Sequence, residues 1–432
     1  MQKLVRKSNI PGYSQLLSKR FDQFSYDYWP TSYKTAKGTM IQSSCGTWYK
    51  DMSISGIGAC LFGYADDEVD ECVIRTIKNG VASSLNSELE EKVAEALLQF
   101  IPGHTHVRYA KGGGEAMSIA IRIARSFTKK STILFSGYHG WSDWYLAANV
   151  TDQSSLDNHL IKNLAPNGVP IELKGTSMPF EYNNLSDLSN KIEQNKSNLA
   201  CIVMEPARSM EADASYLQGV KQLALKHSIP LIFDEISSGF RQSKGPYAAK
   251  FQVTPDIYVF AKSIGNGYPI AAITGVSSLM NEFNHSFISS TNWTEAVGLS
   301  ATEAVLKKFT NSNPENKIVE LGNYWAQIIA EVSAKSEFEL QTNGLPGMRY
   351  MMHPADSDLF RTFFTKFGLS KNYLVAGRYY PNTAQTKNDI DGYAELLTDT
   401  ISHYKKMNSR ERLTYCGRVL PGGFNVLDIQ HV

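Results

Sequence analysis

Two charged residues close apolar runs where strands would end: Asp234 in Ile-Phe-Asp-Glu at 232–235, and Lys262 in Phe-Ala-Lys-Ser-Ile-Gly at 260–265. An amine whose pKa is lowered by its surroundings is a nucleophile and a base, and a nearby carboxylate accepts from a protonated ring nitrogen. The pair suits one cofactor, pyridoxal phosphate (PLP), with Lys262 joining its aldehyde as a Schiff base and Asp234 meeting its pyridinium nitrogen. Each residue also has a plainer reading. A lone lysine at a strand end is usually a solvated charge, and an aspartate there commonly caps the next turn. The setting of Lys262, after Ile-Tyr-Val-Phe-Ala and before Gly265-Asn266-Gly267, predicts instead a buried crevice lined by backbone.

Two further segments carry chemistry. Gly112-Gly113-Gly114-Glu115-Ala116 opens a helical pattern, and small residues at a helix N-terminus present amides and partial positive charge to a phosphate, although triple glycine is often only a flexible turn. It lacks the Gly-Lys-Ser ending of a Walker loop and the spaced glycines of a dinucleotide fingerprint, which excludes a Rossmann dehydrogenase. Gly137-Tyr138-His139-Gly140-Trp141-Ser142-Asp143-Trp144-Tyr145 follows a strand-like run, and Tyr138 is the aromatic best placed to stack on a flat cofactor. His139 is either a proton carrier or a structural histidine; Trp141 and Trp144 are alternatively core residues.

These groups must be positioned by strands. Residues 131–137, 199–206, 229–236, 257–264 and 271–277 are short apolar runs rich in β-formers. Helical patterns over 115–127 and 215–228 alternate with them, which predicts βαβ units around a mostly parallel sheet with function at the strands' carboxyl ends. A capped helix is expected over Ser87–Phe100, before the large unit proper. Residues 1–60, aromatic and turn-rich, read as an arm and part of a small domain, 61–305 as a large PLP-binding domain, and 306–432 as a C-terminal small α+β domain. A formal net charge of +1 over 432 residues argues against nucleic acid or an anionic membrane as partner. No spanning apolar stretch or signal-peptide core is found, so a cytoplasmic protein is expected. The five cysteines are scattered without a CxxC, which indicates neither a disulfide framework nor a metal site.

The order of these motifs is specific: the glycine loop, Gly-Tyr-His-Gly, Glu-Pro at 205–206, Asp-Glu with Gly-Phe-Arg at 239–241, Thr-Pro-Asp at 254–256, then Lys262. From about residue 10 to 391 the chain resembles the class III aminotransferases of PLP fold type I, and among them the glutamate-1-semialdehyde 2,1-aminomutase-like group. The resemblance implies an α/β large domain with a seven-stranded-type sheet and a smaller α+β domain from both chain ends. It implies that Gly113 and Gly114 hold the phosphate through backbone amides, that Tyr138 or His139 covers one ring face, and that Ile236 presses on the other in place of the usual valine. Glu205 would end a neighbouring strand near the ring. Thr291 would reach the phosphate of the partner subunit's cofactor, making the protein a homodimer with shared active sites. Two departures stand out. Lys111-Gly112-Gly113-Gly114 replaces the usual Asn-Ser-Gly-Thr and loses its hydroxyls, and Trp141-Ser142-Asp143-Trp144 looks like a subgroup associated with surface-sugar biosynthesis.

The expected activity is transfer of an amino group from an amino-acid donor, glutamate by family analogy, to a small keto or aldehyde acceptor, with a sugar among the candidates. Arg20, Arg241 and Arg378 are candidates for the donor carboxylates, and Tyr145, Tyr268 and Trp293 for a polar wall around a hydroxylated substrate. The alternatives are a 2,1-aminomutase, which needs nearly the same residues, and a PLP-binding protein without turnover.

Overall fold

The computed structural model describes residues 8–159, 164–207 and 210–419; the basic start, 1–7, and the end of the C-terminal segment, 420–432, lie outside the described residues. The chain divides into two compact units, one of residues 67–315 and one of the two chain ends, 1–66 with 316–432. The helix Ala296–Asn311 runs through the boundary expected at 305, since its buried side continues through Val305, Leu306 and Phe309 without a break.

In the unit made of the chain ends, β1 (Tyr33–Lys37), β2 (Met40–Ser43) and β3 (Trp48–Asp51) form an antiparallel meander. The other unit carries β4 (His106–Ala110), β5 (Thr132–Ser136), β6 (Ser177–Pro179), β7 (Leu199–Met204), β8 (Leu231–Asp234), β9 (Ile257–Phe260) and β10 (Ala271–Gly275). They make one seven-stranded sheet in the order β4-β10-β9-β8-β7-β5-β6. Neighbours from β6 to β9 pair in parallel, while β10 is antiparallel to both β9 and β4. Only residues 261–270 join β9 to β10, too few for a crossover, so the chain must turn back. The inner strands β5, β7, β8 and β9 are buried along their whole length, which is why they read as unbroken apolar runs. β4 and β6 occupy the edges, one alternating in exposure and the other three residues long, so neither stands out as an apolar run in the sequence.

The helix Gly113–Thr128 shows how sequence makes these elements. Met117, Ala120, Ile121 and Ala124 recur at helical spacing and are buried against the sheet. Lys129, left-handed at φ 57°, ends it. In the chain-end unit, β11 (Gln341–Leu345), β12 (Met348–Met352) and β14 (Arg378–Tyr379) form a second small sheet, while β13 (Tyr373–Leu374) lies parallel to β3. Trp325, Phe360, Phe363, Phe364 and Tyr393 fill its core. Among the described residues no helix is long and apolar enough to cross a membrane.

Directly after β8, Glu235 is fully buried and accepts hydrogen bonds from Tyr247 N (2.6 Å), Ala248 N (2.9 Å) and Ser238 Oγ (3.1 Å). Burial outweighs these donors and pushes its carboxyl up from 4.5 to about 7. Since the folded chain keeps this proton to a higher pH than the unfolded chain, Glu235 contributes a stabilisation that is complete below pH 4.5 and lost as the pH rises through about 7. Thermal unfolding across that window is therefore expected to shift in favour of Glu235→Gln relative to the parent as pH rises; a pH-independent difference would contradict it.

Candidate active site

Asp234 is the last residue of β8 and only 3% exposed. A buried carboxylate must be paired, and both of its oxygens are: Oδ2 meets His139 Nδ1 at 2.8 Å and Oδ1 accepts from Ile236 N at 3.1 Å. An ionised carboxylate only accepts, so Nδ1 carries the proton of the first bond. His139 leaves the end of β5 on a loop turned by Gly137 (φ +117°) and Gly140 (φ +99°), conformations that favour glycine. Its ring is buried between Trp144, Phe135 and Tyr145, and Nε2 has no hydrogen-bond partner among the described residues. His139 is thus bonded to Asp234.

Lys262 opens the turn after β9 in a left-handed conformation, φ 49°. A non-glycine residue there is strained, and such strain persists where the surroundings impose it, often at functional sites. Its Nζ donates to Ser237 Oγ at 2.6 Å. The sequence offers no signal for Ser237, because the bond exists only through the parallel pairing of β8 with β9, which sets Asp234 opposite Val259.

The glycine loop approaches the same place. A Cβ on Gly113 would lie 2.8 Å from Ile236 Cδ1, and one on Gly140 would lie 2.9 Å from Gly114 Cα. Ile236 therefore packs on the start of the helix Gly113–Thr128, and the two loops meet backbone to backbone. The Glu115 carboxylate accepts from Lys111 N (2.9 Å) and Gly112 N (3.3 Å). Glu205, just past β7, accepts from Tyr138 N (2.9 Å), and a Cβ on Gly137 would meet its Oε2 at 2.7 Å. The Tyr138 side chain is half-buried, with its ring edge-on to Tyr145. Thr291 starts an exposed short turn, Thr291–Thr294, and that segment is tied to the glycine loop by the ion pair of Glu295 with Lys111. Neither partner of that pair stands out in the sequence.

Several candidates are otherwise engaged. Arg20 forms a two-pronged pair with Asp22, Arg241 is buried and donates to Ser263 Oγ through Nη2, and Arg378 is exposed on β14. The Tyr145 hydroxyl donates to Gly137 O (2.9 Å) and that of Tyr268 to Asp70 (2.9 Å). Trp293 packs against the core. A cavity of about 560 Å³ opens beyond the ends of β5, β6 and β7, lined by Glu205, His159, Tyr182, Asp187 and Lys191. It touches neither Asp234 nor Lys262, so the cluster of chemical groups lies beside it. The turn at Lys262 is testable by itself: in cofactor-free protein, Lys262→Gly is expected to exceed Lys262→Ala in unfolding free energy by about 1 kcal/mol, because only glycine relieves the positive φ. Denaturant titration of the two variants measures it.

Comparison with known proteins supplies the class. Residues 23–349 match the family described as aminotransferase class-III. The chain is 29% identical over 415 residues to the 3-aminobutyryl-CoA aminotransferase of Cloacimonas acidaminovorans, covering 93% of this chain and 96% of that protein. It is 28% identical over 395 residues to the glutamate-1-semialdehyde 2,1-aminomutase of Methanosphaera stadtmanae, covering 85% and 90%. The fold is shared with the PLP internal aldimine form of the Sphingopyxis sp. MTA144 FumI protein, at TM-score 0.80 and 20% identity over 89% of this chain and 91% of that one. A lysine and a paired aspartate at the ends of adjacent parallel strands, below a glycine-opened helix, therefore sit within a match that spans most of the sequence, and the chain belongs to the class III aminotransferases.

Proposed function

We propose that this chain moves an amino group from an amino-acid donor, glutamate in the first instance, to a small keto or aldehyde acceptor. Its family uses PLP, and the chain is a PLP-dependent aminotransferase or aminomutase. The cofactor supplies an electron sink for breaking a C–H bond next to nitrogen and carries that nitrogen between half-reactions. The residues present fit it. Gly113 and Gly114 would bind the phosphate through the amides of the helix N-terminus, with no side chain to hinder its approach. Asp234, oriented by His139 and the Ile236 amide, would hold a proton on the ring nitrogen. Ile236 and Tyr138 would bound the ring, with Glu205 fixing the Tyr138 backbone. Lys262 would anchor the aldehyde and, when released, move a proton between the substrate carbon and the cofactor C4′, steadied by Ser237. Thr291, exposed, would reach the partner subunit's cofactor phosphate in a homodimer.

The observation that carries this reading is the doubly held Asp234 at the end of β8 together with the positive-φ Lys262 just past the end of the adjacent strand β9. The acceptor is proposed as a small keto or aldehyde compound, with a sugar among the candidates; the Tyr145 and Tyr268 hydroxyls each donate one bond within the chain and keep their acceptor lone pairs. Similarity to the Methanosphaera stadtmanae aminomutase favours a second reading, in which one substrate supplies both nitrogen and carbonyl.

Borohydride reduction of the PLP-loaded protein followed by peptide mass spectrometry is expected to find the cofactor on Lys262; label on another lysine overturns the assignment. Glutamate added alone is then expected to convert the bound cofactor to its pyridoxamine form, whereas turnover of a single substrate without any donor selects the aminomutase. Asp234→Asn is expected to keep PLP bound and to lower turnover by on the order of 10²–10³-fold, read from single-turnover absorbance.

A further inference from the structure

The glycine loop poses a donor shortage. A phosphate dianion offers three strong acceptor oxygens, and Gly112, Gly113 and Gly114 bring no side-chain hydroxyl to meet them. The amides of Lys111 and Gly112 already donate to Glu115, which also places a negative charge at this helix start. The Lys111 ammonium is held by the Glu295 carboxylate and its backbone carbonyl. The Ser118 hydroxyl bonds Gly114 O (2.9 Å) and Ser142 Oγ (2.8 Å), and Ser142 Oγ in turn lies 3.5 Å from Gly114 O. Both neighbouring hydroxyls thus serve the loop's own carbonyl.

Trp141 remains. It follows Gly140, the residue packed on Gly114, and its indole lies over that glycine: a Cβ on Gly114 would be 3.5 Å from Trp141 Cδ1 and 3.6 Å from Nε1. The ring is 77% exposed, the reverse of its neighbour Trp144 at 6%, so it does not serve the core. An indole nitrogen only donates, and here it lies against Gly114, the second residue of the helix start.

We propose that the Trp141 indole N–H is a ligand of the cofactor phosphate, taking the place of the side-chain hydroxyl that the glycine loop lacks. The proposal deepens the cofactor reading and rests on it. Gly114 keeps the space beside the indole open, and the Gly140–Gly114 backbone contact holds the ring in register with the helix start.

The test is equilibrium titration of the full-length, cofactor-depleted protein with PLP and with pyridoxal, which lacks the phosphate, for the parent and for Trp141→Phe. Phenylalanine keeps an aromatic ring at an exposed position and removes the N–H. The expected result is a loss of about tenfold to a hundredfold in PLP affinity with pyridoxal affinity unchanged. An equal loss for both ligands would assign Trp141 to packing, and no loss for PLP would remove it from the site; either overturns the proposal. Failure of the parent itself to bind PLP would instead defeat the underlying cofactor reading.

Discussion

A carboxylate buried in the middle of a sheet is costly unless both of its oxygens are bonded, and the organisation of the large unit meets this requirement at Asp234. Its strand, β8, lies in the interior of the sheet, flanked by β7 and β9. One bond comes locally, from the amide two residues on; the other comes from His139, ninety-five residues earlier in the chain, across the end of the intervening strand β7. The strand order β8-β7-β5 is therefore a condition of the pair. So is the glycine-turned exit of β5, since Gly137 and Gly140 take backbone conformations that other residues adopt only at a cost.

Close backbone approach is the second constraint. Gly113 against the Ile236 side chain, Gly140 against the Gly114 backbone and Gly137 against the Glu205 side chain each leave less than 3 Å for an added Cβ, so three loops converge with no room for a side chain at any of these glycines. This convergence brings the helix start, the aromatic loop and the end of β8 together. Polar bonds clamp the same loops despite their glycine content: Tyr138 N donates to Glu205, and the Lys111 and Gly112 amides donate to Glu115.

Much of this organisation is legible in the amino-acid sequence. The buried strands announce themselves as apolar runs because both faces of β5, β7, β8 and β9 are covered, and their ends mark Asp234, Glu205 and Lys262. The helix starting at Gly113 follows from its apolar spacing, and the loop glycines are visible as turn chemistry. The edges β4 and β6 are not legible, since a short strand covered on one side leaves little pattern. Nor are the hydroxyl commitments of Tyr145 and Tyr268: a tyrosine's partner is a matter of which backbone carbonyl or carboxylate folding brings alongside, and these lie far away in sequence for Tyr268 and on a tight turn for Tyr145.

The sequence by itself determined the chemical inventory and the strand ends on which it stands, because residue type and hydrophobic periodicity are local properties. Tertiary structure decided the assignments among that inventory. It made His139 the partner of Asp234, gave Lys262 its strained turn and its bond to Ser237, and laid Trp141 over Gly114. Each of those facts depends on strand register and loop convergence, which are set by how distant segments pack and leave no trace in the spacing of residues along one segment.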